Sequence, residues 1–369
     1  MTVLSPEALQ VDLRRMIAET GPLPLATVMA AAARTYYAQG RAFGADGDFI
    51  TAPEISQVFG ELIGLWLAVV WQQMGQPAPL RLVEFGPGRG VLMADALRAA
   101  GRVPGFLASV DLHLIEQSRS LRDEQKTRLT GISGLSGCTW HDDLSTVPEG
   151  PALMVGNEFI DALPIEQYVH DGSVWRQRCV DWSEAEQAFG FVPGAEVDPV
   201  QVAALGPAFA DPAPGQLAEV CLAGQQVAAA LAARLAAQGG AALLIDYGYA
   251  DSAPGDTLQA LRHHQPVPAL QTPGAVDITA HVDFARLATA AEAAGAKAWG
   301  PMTQGRFLAA LGAEQRARIL MRTATPQQAV QISSGVHRLI HPMKMGTLFK
   351  VLVLADPALP CPPGFEALA

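Results

Sequence analysis

A doubly wound, Rossmann-like α/β sheet is the fold class this sequence predicts, on three observations. Short apolar runs alternate with helical patterns between residues 80 and 156, as expected when parallel strands are joined by crossover helices. The first of these runs empties into Gly86-Pro87-Gly88-Arg89-Gly90 at the head of a helix. The chain also closes on residues 348–354, a β-branched alternating run that reads as a last strand.

The elements follow in order. Ser5 caps a helix that begins at Pro6 and stops at Gly21-Pro22, and a second helix covers 26 to about 39. A glycine-rich loop occupies 43–49, and 54–74 read as one long, very apolar, buried helix. These form an N-terminal helical region, 1–76, that packs on the core. Strands follow at 80–85, 110–116, 139–141 and 153–156, with helices to about 100 and over 118–129. A hairpin over 167–180, turning at Asp171-Gly172, then interrupts the alternation. Residues 183–215 show no readable pattern, and the Ala-rich stretch 217–238 reads as a helix. A strand at 243–246 with a glycine turn behind it, turn residues through 250–280 and a helix over 284–294 complete the reading. Residues 77–369 are thus one domain, its sheet interrupted by inserted helical and hairpin segments at about 165–240 and 250–345.

Half of the 369 residues are apolar and 17% are charged, which permits a sizeable core and counts against disorder. A formal net charge of -11 disfavours a nucleic-acid partner and anionic membranes. The four cysteines lie far apart, without metal-ligand spacing or a disulfide framework. Residues 1–20 carry acids and lack a signal-peptide block, and the longest lipid-like run, 62–71, is too short to span a bilayer. The expectation is a soluble, cytoplasmic protein with no membrane insertion and no metal. Oligomeric state is not legible.

The segment from Glu84 to Gly90 carries the strongest chemistry. Gly86, Gly88 and Gly90 let backbone approach a ligand without a Cβ clash, and the helix behind them offers free N–H groups. A dinucleotide fingerprint needs G-x-G-x-x-G, but position 91 is valine. An acid followed by G-x-G-x-G suits S-adenosyl-L-methionine better, since Glu84 could neutralise its cationic amino group and sulfonium. Glu116, ending the second strand, fits the ribose hydroxyls, and Asp142 either the adenine amino group or a plain turn. Asn157, Glu158 and Asp161 follow the fourth strand, where doubly wound sheets open their crevice. They read as a catalytic loop for a polar or cationic substrate. Residues 47–56, with Asp48, Thr51, Pro53 and Glu54, form either a helix cap or a wall of the site. Asp277, Thr279, His281 and Asp283 alternate, but Thr279 reads better as a helix cap than as part of a metal site.

Together these segments resemble the MidA-like methyltransferases, whose mitochondrial members assist complex I assembly by methylating an arginine. The matching stretches are 47–56 with Phe59-Gly-Glu-Leu, 83–90, 157–164, 245–248, 277–284 and 345–352. The chain departs from the family before its first loop. Tyr36-Tyr37 follow Thr35 where the family shows Gly-Tyr-Tyr, and its Asp-Pro is missing. The resemblance implies a methyltransferase sheet with Gly86, Gly88 and Gly90 at the cofactor, Glu116 at the ribose and the Asn157 loop facing the substrate. It also implies a protein arginine as acceptor, on a subunit of respiratory complex I. The alternatives are a non-catalytic assembly factor that only binds the cofactor, and methylation of a small molecule.

Overall fold

The structure, a computed structural model, describes residues 4–38, 51–262 and 265–368. The expected loop at 43–49, Asp48, the end of the second helix at 39 and His263-His264 lie outside the described residues.

The chain opens with α1 (Pro6–Thr20), β1 (Leu23–Pro24) and α2 (Leu25–Ala38). Ser5 Oγ accepts from the Ala8 amide at 3.2 Å, and Gly21, at φ +83°, ends the first helix. Leu9, Leu13 and Ile17 recur every fourth residue on its buried face. Next come α3 (Ala52–Ile55) and α4 (Gln57–Gln73), where one long helix was expected. Ser56 is the reason. Its backbone is extended, at φ -157°, and its Oγ accepts from the Val58 amide, so it ends one helix and caps the next.

The next elements are β2 (Leu80–Phe85), α5 (Val91–Ala100), α6 (Phe106–Ser109), β3 (Val110–Ile115), α7 (Arg119–Leu129), β4 (Cys138–His141) and β5 (Ala152–Asn157). Then follow β6 (Glu166–His170), β7 (Trp175–Ser183), β8 (Ala188–Glu196), α8 (Pro199–Ala203), β9 (Leu217–Val220), α9 (Leu222–Gln238) and β10 (Gly240–Tyr249). The chain ends through β11 (Gln259–Arg262), β12 (Gln265–Val267), β13 (Asp277–Thr279), β14 (Val282–Asp283) and α10 (Phe284–Ala293). Beyond these lie β15 (Lys297–Thr303), α11 (Gln304–Ala310), α12 (Ala313–Met321), α13 (Pro326–Ile340) and β16 (Phe349–Ala355).

The main sheet runs in the order β15-β16-β10-β5-β2-β3-β4. Strands β10, β5, β2, β3 and β4 are parallel, and β16 and β15 add an antiparallel edge. From β2 the sheet grows one way through β3 and β4, and from β5 the other way through β10. The order reverses between β2 and β5, which is where such sheets bind ligands. Both faces are covered. Helices α4 and α5 pack on one, in backbone contact, since a Cβ at Gly64 would lie 2.1 Å from the Ala96 carbonyl oxygen. Helices α9 and α10 pack on the other. Helices α1 and α2 share a core with Ile165, Val180, Phe189 and Ile278, from the inserted segments.

Several sequence expectations are corrected. Residues 217–220 form β9 rather than helix, because they supply the antiparallel partner that β6 needs. The unreadable stretch holds β8, paired with β7. No glycine turn follows the strand at 243–246. That strand continues to Tyr249, and Gly248 serves close approach, since a Cβ there would lie 2.1 Å from the Val282 carbonyl oxygen. Asp283, not Thr279, caps α10, accepting from the Arg286 amide. Among the described residues no helix is long and apolar enough to cross a membrane.

Candidate active site

The two chain segments that leave the sheet at its reversal point form one cleft. Gly86, Gly88 and Gly90 stand at φ +58°, +51° and +74°, a left-handed region that side chains resist. The turn is held from below by Gln125, which is fully buried. Its Nε2 donates to the Gly88 carbonyl at 2.7 Å and to Glu116 Oε2 at 3.3 Å, and its Oε1 accepts from Trp140 Nε1 at 2.8 Å. Glu116 Oε1 also accepts from the Ser118 amide at 2.8 Å.

Thr51, Pro53, Glu54, Glu84, Gly86, Gly88, Arg89, Asn157 and Glu158 line this cleft. Arg89 reaches Glu54 at 3.6 Å and Glu124 at 3.0 Å, tying α3 to the glycine turn. Thr51, Pro53 and Glu54, which sequence reasoning left as either a helix cap or a wall of the site, line this cleft. Sequence reasoning left Asp142 as either an adenine partner or a plain turn residue. In the structure that side chain is 77% exposed and ion-paired with Arg122. Asp277 accepts from Tyr37 at 2.8 Å, and His281 lies against Tyr247.

Glu84 is 2% exposed, and its Oε2 has no hydrogen-bond partner among the described residues. Burial, aided by the neighbouring Glu116 charge, pushes its pKa up to about 8. An unfolded Glu84 ionises near its ordinary pKa, so stability falls as pH rises from there to about 8. Glu84→Gln is therefore expected to raise the melting temperature of the ligand-free protein at pH 8. The gain, on the order of a few kcal/mol at most, should vanish near pH 5. Denaturation at the two pH values checks it, and equal stability of both proteins at pH 8 would count against a strained carboxylate.

The catalytic-loop residues divide. Glu158 lines the cleft at φ +50°, its Oε1 accepting from the Ala52 amide at 3.0 Å and from Asn157 Nδ2 at 3.1 Å. Ala52 opens α3, and the first amides of a helix have no intrahelical partner, so this one is free to meet a carboxylate. Burial pushes Glu158 up to about 7, opposed by the Ala52 amide and assisted by the Asp161 charge. Asp161 is 7% exposed and lies behind the cleft, accepting from the Tyr247 hydroxyl, with Oδ1 unpartnered among the described residues. Asp246 secures the turn beneath both. Its Oδ2 accepts from the amides of Phe159, Ile160 and Asp161 at 3.2, 3.0 and 3.2 Å. Sequence reasoning gave Arg89, Gln125, Asp246 and Tyr247 no role. A buried-strand Asp at a carboxyl end was a usable signal, whereas Gln125, inside a charged helix, offered none.

This donor set fits S-adenosyl-L-methionine. An unsatisfied buried carboxyl oxygen suits a cationic ligand, a second carboxylate suits ribose hydroxyls, and left-handed glycines admit close approach. Comparison with known proteins agrees. A family model described as "Putative S-adenosyl-L-methionine-dependent methyltransferase" matches residues 62–302. The chain is 34% identical to the mitochondrial protein arginine methyltransferase NDUFAF7 homolog of Drosophila melanogaster, over 93% of this chain and 84% of that one. It is 35% identical to the mitochondrial protein arginine methyltransferase NDUFAF7 of Danio rerio, over 93% and 85%. A crystal structure of a Burkholderia thailandensis protein bound to S-adenosyl-homocysteine superposes with a TM-score of 0.83 at 28% identity, covering 98% of this chain and 95% of that one. The chain belongs to the S-adenosyl-L-methionine-dependent methyltransferases of this family.

Proposed function

We propose that this methyltransferase modifies an arginine of a protein partner. In this reading Glu84, Gly86, Gly88, Gly90 and Glu116 hold the cofactor, and Asp142 stands at the adenine end. Asn157, Glu158 and Asp161 serve the acceptor, with Asp48, Thr51, Pro53 and Glu54 as the wall between cleft and solvent. The observation that carries it is a pair of carboxyl groups, half-buried Glu158 and buried Asp161, on the turn that faces the glycine loop across the sheet's reversal point. The relatives' names support the arginine, and the family resemblance supports a respiratory complex I subunit as the partner.

The cofactor, when bound, supplies a methyl group on a sulfonium, activated for in-line displacement. The chain's own work is to place the acceptor and manage its charge. A guanidinium keeps its charge at working pH, so it must be seated beside another cation. Carboxylates offset that repulsion, and the planar guanidinium fork donates to them in fixed geometry. Methylation of a guanidinium nitrogen also releases one proton. Glu158 lies at the cleft and titrates near neutral, as a group receiving that proton should. Proteome-wide mass spectrometry with and without this protein tests the reading. Loss of methylarginine from at least one protein is expected, and an unchanged set of methylarginines overturns it.

A further inference from the structure

Two consecutive residues of β10 act on the turn that carries the acceptor carboxylates. Asp246 gathers three successive amides of that turn from beneath. Tyr247 reaches its far end, where its hydroxyl meets Asp161 Oδ2, and it lies 2.7 Å from Thr279 Oγ1. A phenol has one proton. With that proton donated to the carboxylate, the Tyr247 oxygen accepts from the Thr279 hydroxyl, and a directed chain runs from β13 through β10 to Asp161. The ring is held edge-on between His281 and Phe349, with centroids at 5.5 and 5.6 Å. Tyr247 thereby fixes one oxygen of Asp161. The other oxygen is buried and unpartnered among the described residues.

We propose that Tyr247, with Asp246 beneath it, is a positioning residue for the methyl acceptor: its hydroxyl occupies Asp161 Oδ2 and thereby leaves Oδ1 as the oxygen that receives the incoming cation. This rests on the arginine reading above. The surroundings favour a cation at that oxygen. The titratable groups that act on Asp161 or on its partners here are Glu158 on its own turn, Asp246 and Tyr247 of β10, Tyr37 of α2, and Cys221 at the head of α9. All five are acidic groups; the nearby cations act at one remove, Arg338 on Glu158 and Lys350 on His281, which packs on the Tyr247 ring. An unpartnered buried carboxylate oxygen among such groups is costly until a positive donor reaches it. Asn157 Oδ1, likewise buried and unpartnered among the described residues, lies on the same segment and offers a second acceptor for a forked donor.

Tyr247→Phe removes the hydroxyl and keeps the ring packing. Carboxyl 13C NMR of the S-adenosyl-homocysteine-bound protein should then show Asp161 titrating at higher pH than in the wild type, since a hydrogen bond to its charged form is gone. Methyl transfer is followed as tritium moved from labelled S-adenosyl-L-methionine into arginine, in an extract of cells that lack the protein. The rate should drop about tenfold, with its acid limb moved to higher pH. Calorimetric S-adenosyl-homocysteine affinity should stay within about twofold. A role in packing alone would leave the acid limb in place. If wild-type enzyme labels arginine and Tyr247→Phe changes neither rate nor Asp161 titration, this proposal is overturned on its own. If cofactor affinity collapses, Tyr247 belongs to the cofactor pocket and the proposal is again overturned. If the wild type itself labels no arginine, the arginine reading fails first and takes this proposal with it.

Discussion

Gly88→Val is expected to abolish S-adenosyl-L-methionine binding in a protein that still folds. Gly88 lines the cleft at φ +51°. An L residue there costs roughly 1–2 kcal/mol, and a β-branched one resists the conformation further. The turn cannot escape by swinging outward, because Gln125, itself fully buried, holds the Gly88 carbonyl. Two methyl groups would therefore project where the cofactor must pass close to the backbone. The strain is small against the roughly 5–15 kcal/mol that holds a domain together, so cooperative melting should survive with a lowered midpoint. Affinity should fall by at least about a hundredfold, roughly 2.7 kcal/mol. Calorimetry at pH 7 beside a thermal melt separates the two effects. Unchanged affinity in a cooperatively melting variant would place the cofactor elsewhere.

What the sequence revealed follows from how local each signal is. The step from β2 through Gly86, Gly88 and Gly90 into α5 is written in adjacent residues, so both the element order and the cofactor class were readable there. The parallel strands β2, β3 and β5 are buried on both faces and appear as short apolar runs, which length and flanking glycines distinguish from helix. Strand β9 was lost because Leu217–Val220 runs directly into the Ala-rich α9, and only its pairing with β6, far away in sequence, makes it extended. Gly248 looked like a turn for a similar reason, since the strand that requires it, β14, comes from another segment. In the site, Asn157 and Glu158 were legible because they follow an apolar run at the carboxyl edge. The hydrogen bond of Glu158 with Ala52 was not, for it joins two segments about a hundred residues apart. Asp246 and Tyr247 lay inside a stretch that resembled the family, but their purpose appears only when the turn they hold is seen above them.

Glu158→Gln and Asp161→Asn are expected to lose methyl transfer while keeping the cofactor. Each change preserves shape and removes a charge. Glu158 Oε1 accepts two hydrogen bonds, and the glutamine carbonyl oxygen can accept both, so α3 should stay docked. What is lost is a charge-assisted hydrogen bond to a cationic acceptor seated beside a second cation. Such a bond is worth roughly 1.5–3 kcal/mol, or about ten- to a hundredfold in rate. Removing the Glu158 carboxylate also removes the group whose titration near 7 would shape the rate against pH. The wild-type rate should climb as pH rises through 7, and the variant's climb should move down to the range near 6 in which Asp161 ionises. Stability must move the other way. Folding raises the Glu158 pKa, so the unfolded chain gives up its proton first and stability is lost between the ordinary glutamate pKa and about 7. Glu158→Gln should therefore be more stable than wild type above pH 7, by up to about 3 kcal/mol, and no more stable near pH 4. A variant slower in methyl transfer, firmer to denaturant at pH 8 and unchanged in S-adenosyl-L-methionine affinity fits a strained acceptor carboxylate and no purely structural residue. Wild-type rates in both variants would put the acceptor elsewhere, and loss of the cofactor would assign this loop to the cofactor pocket.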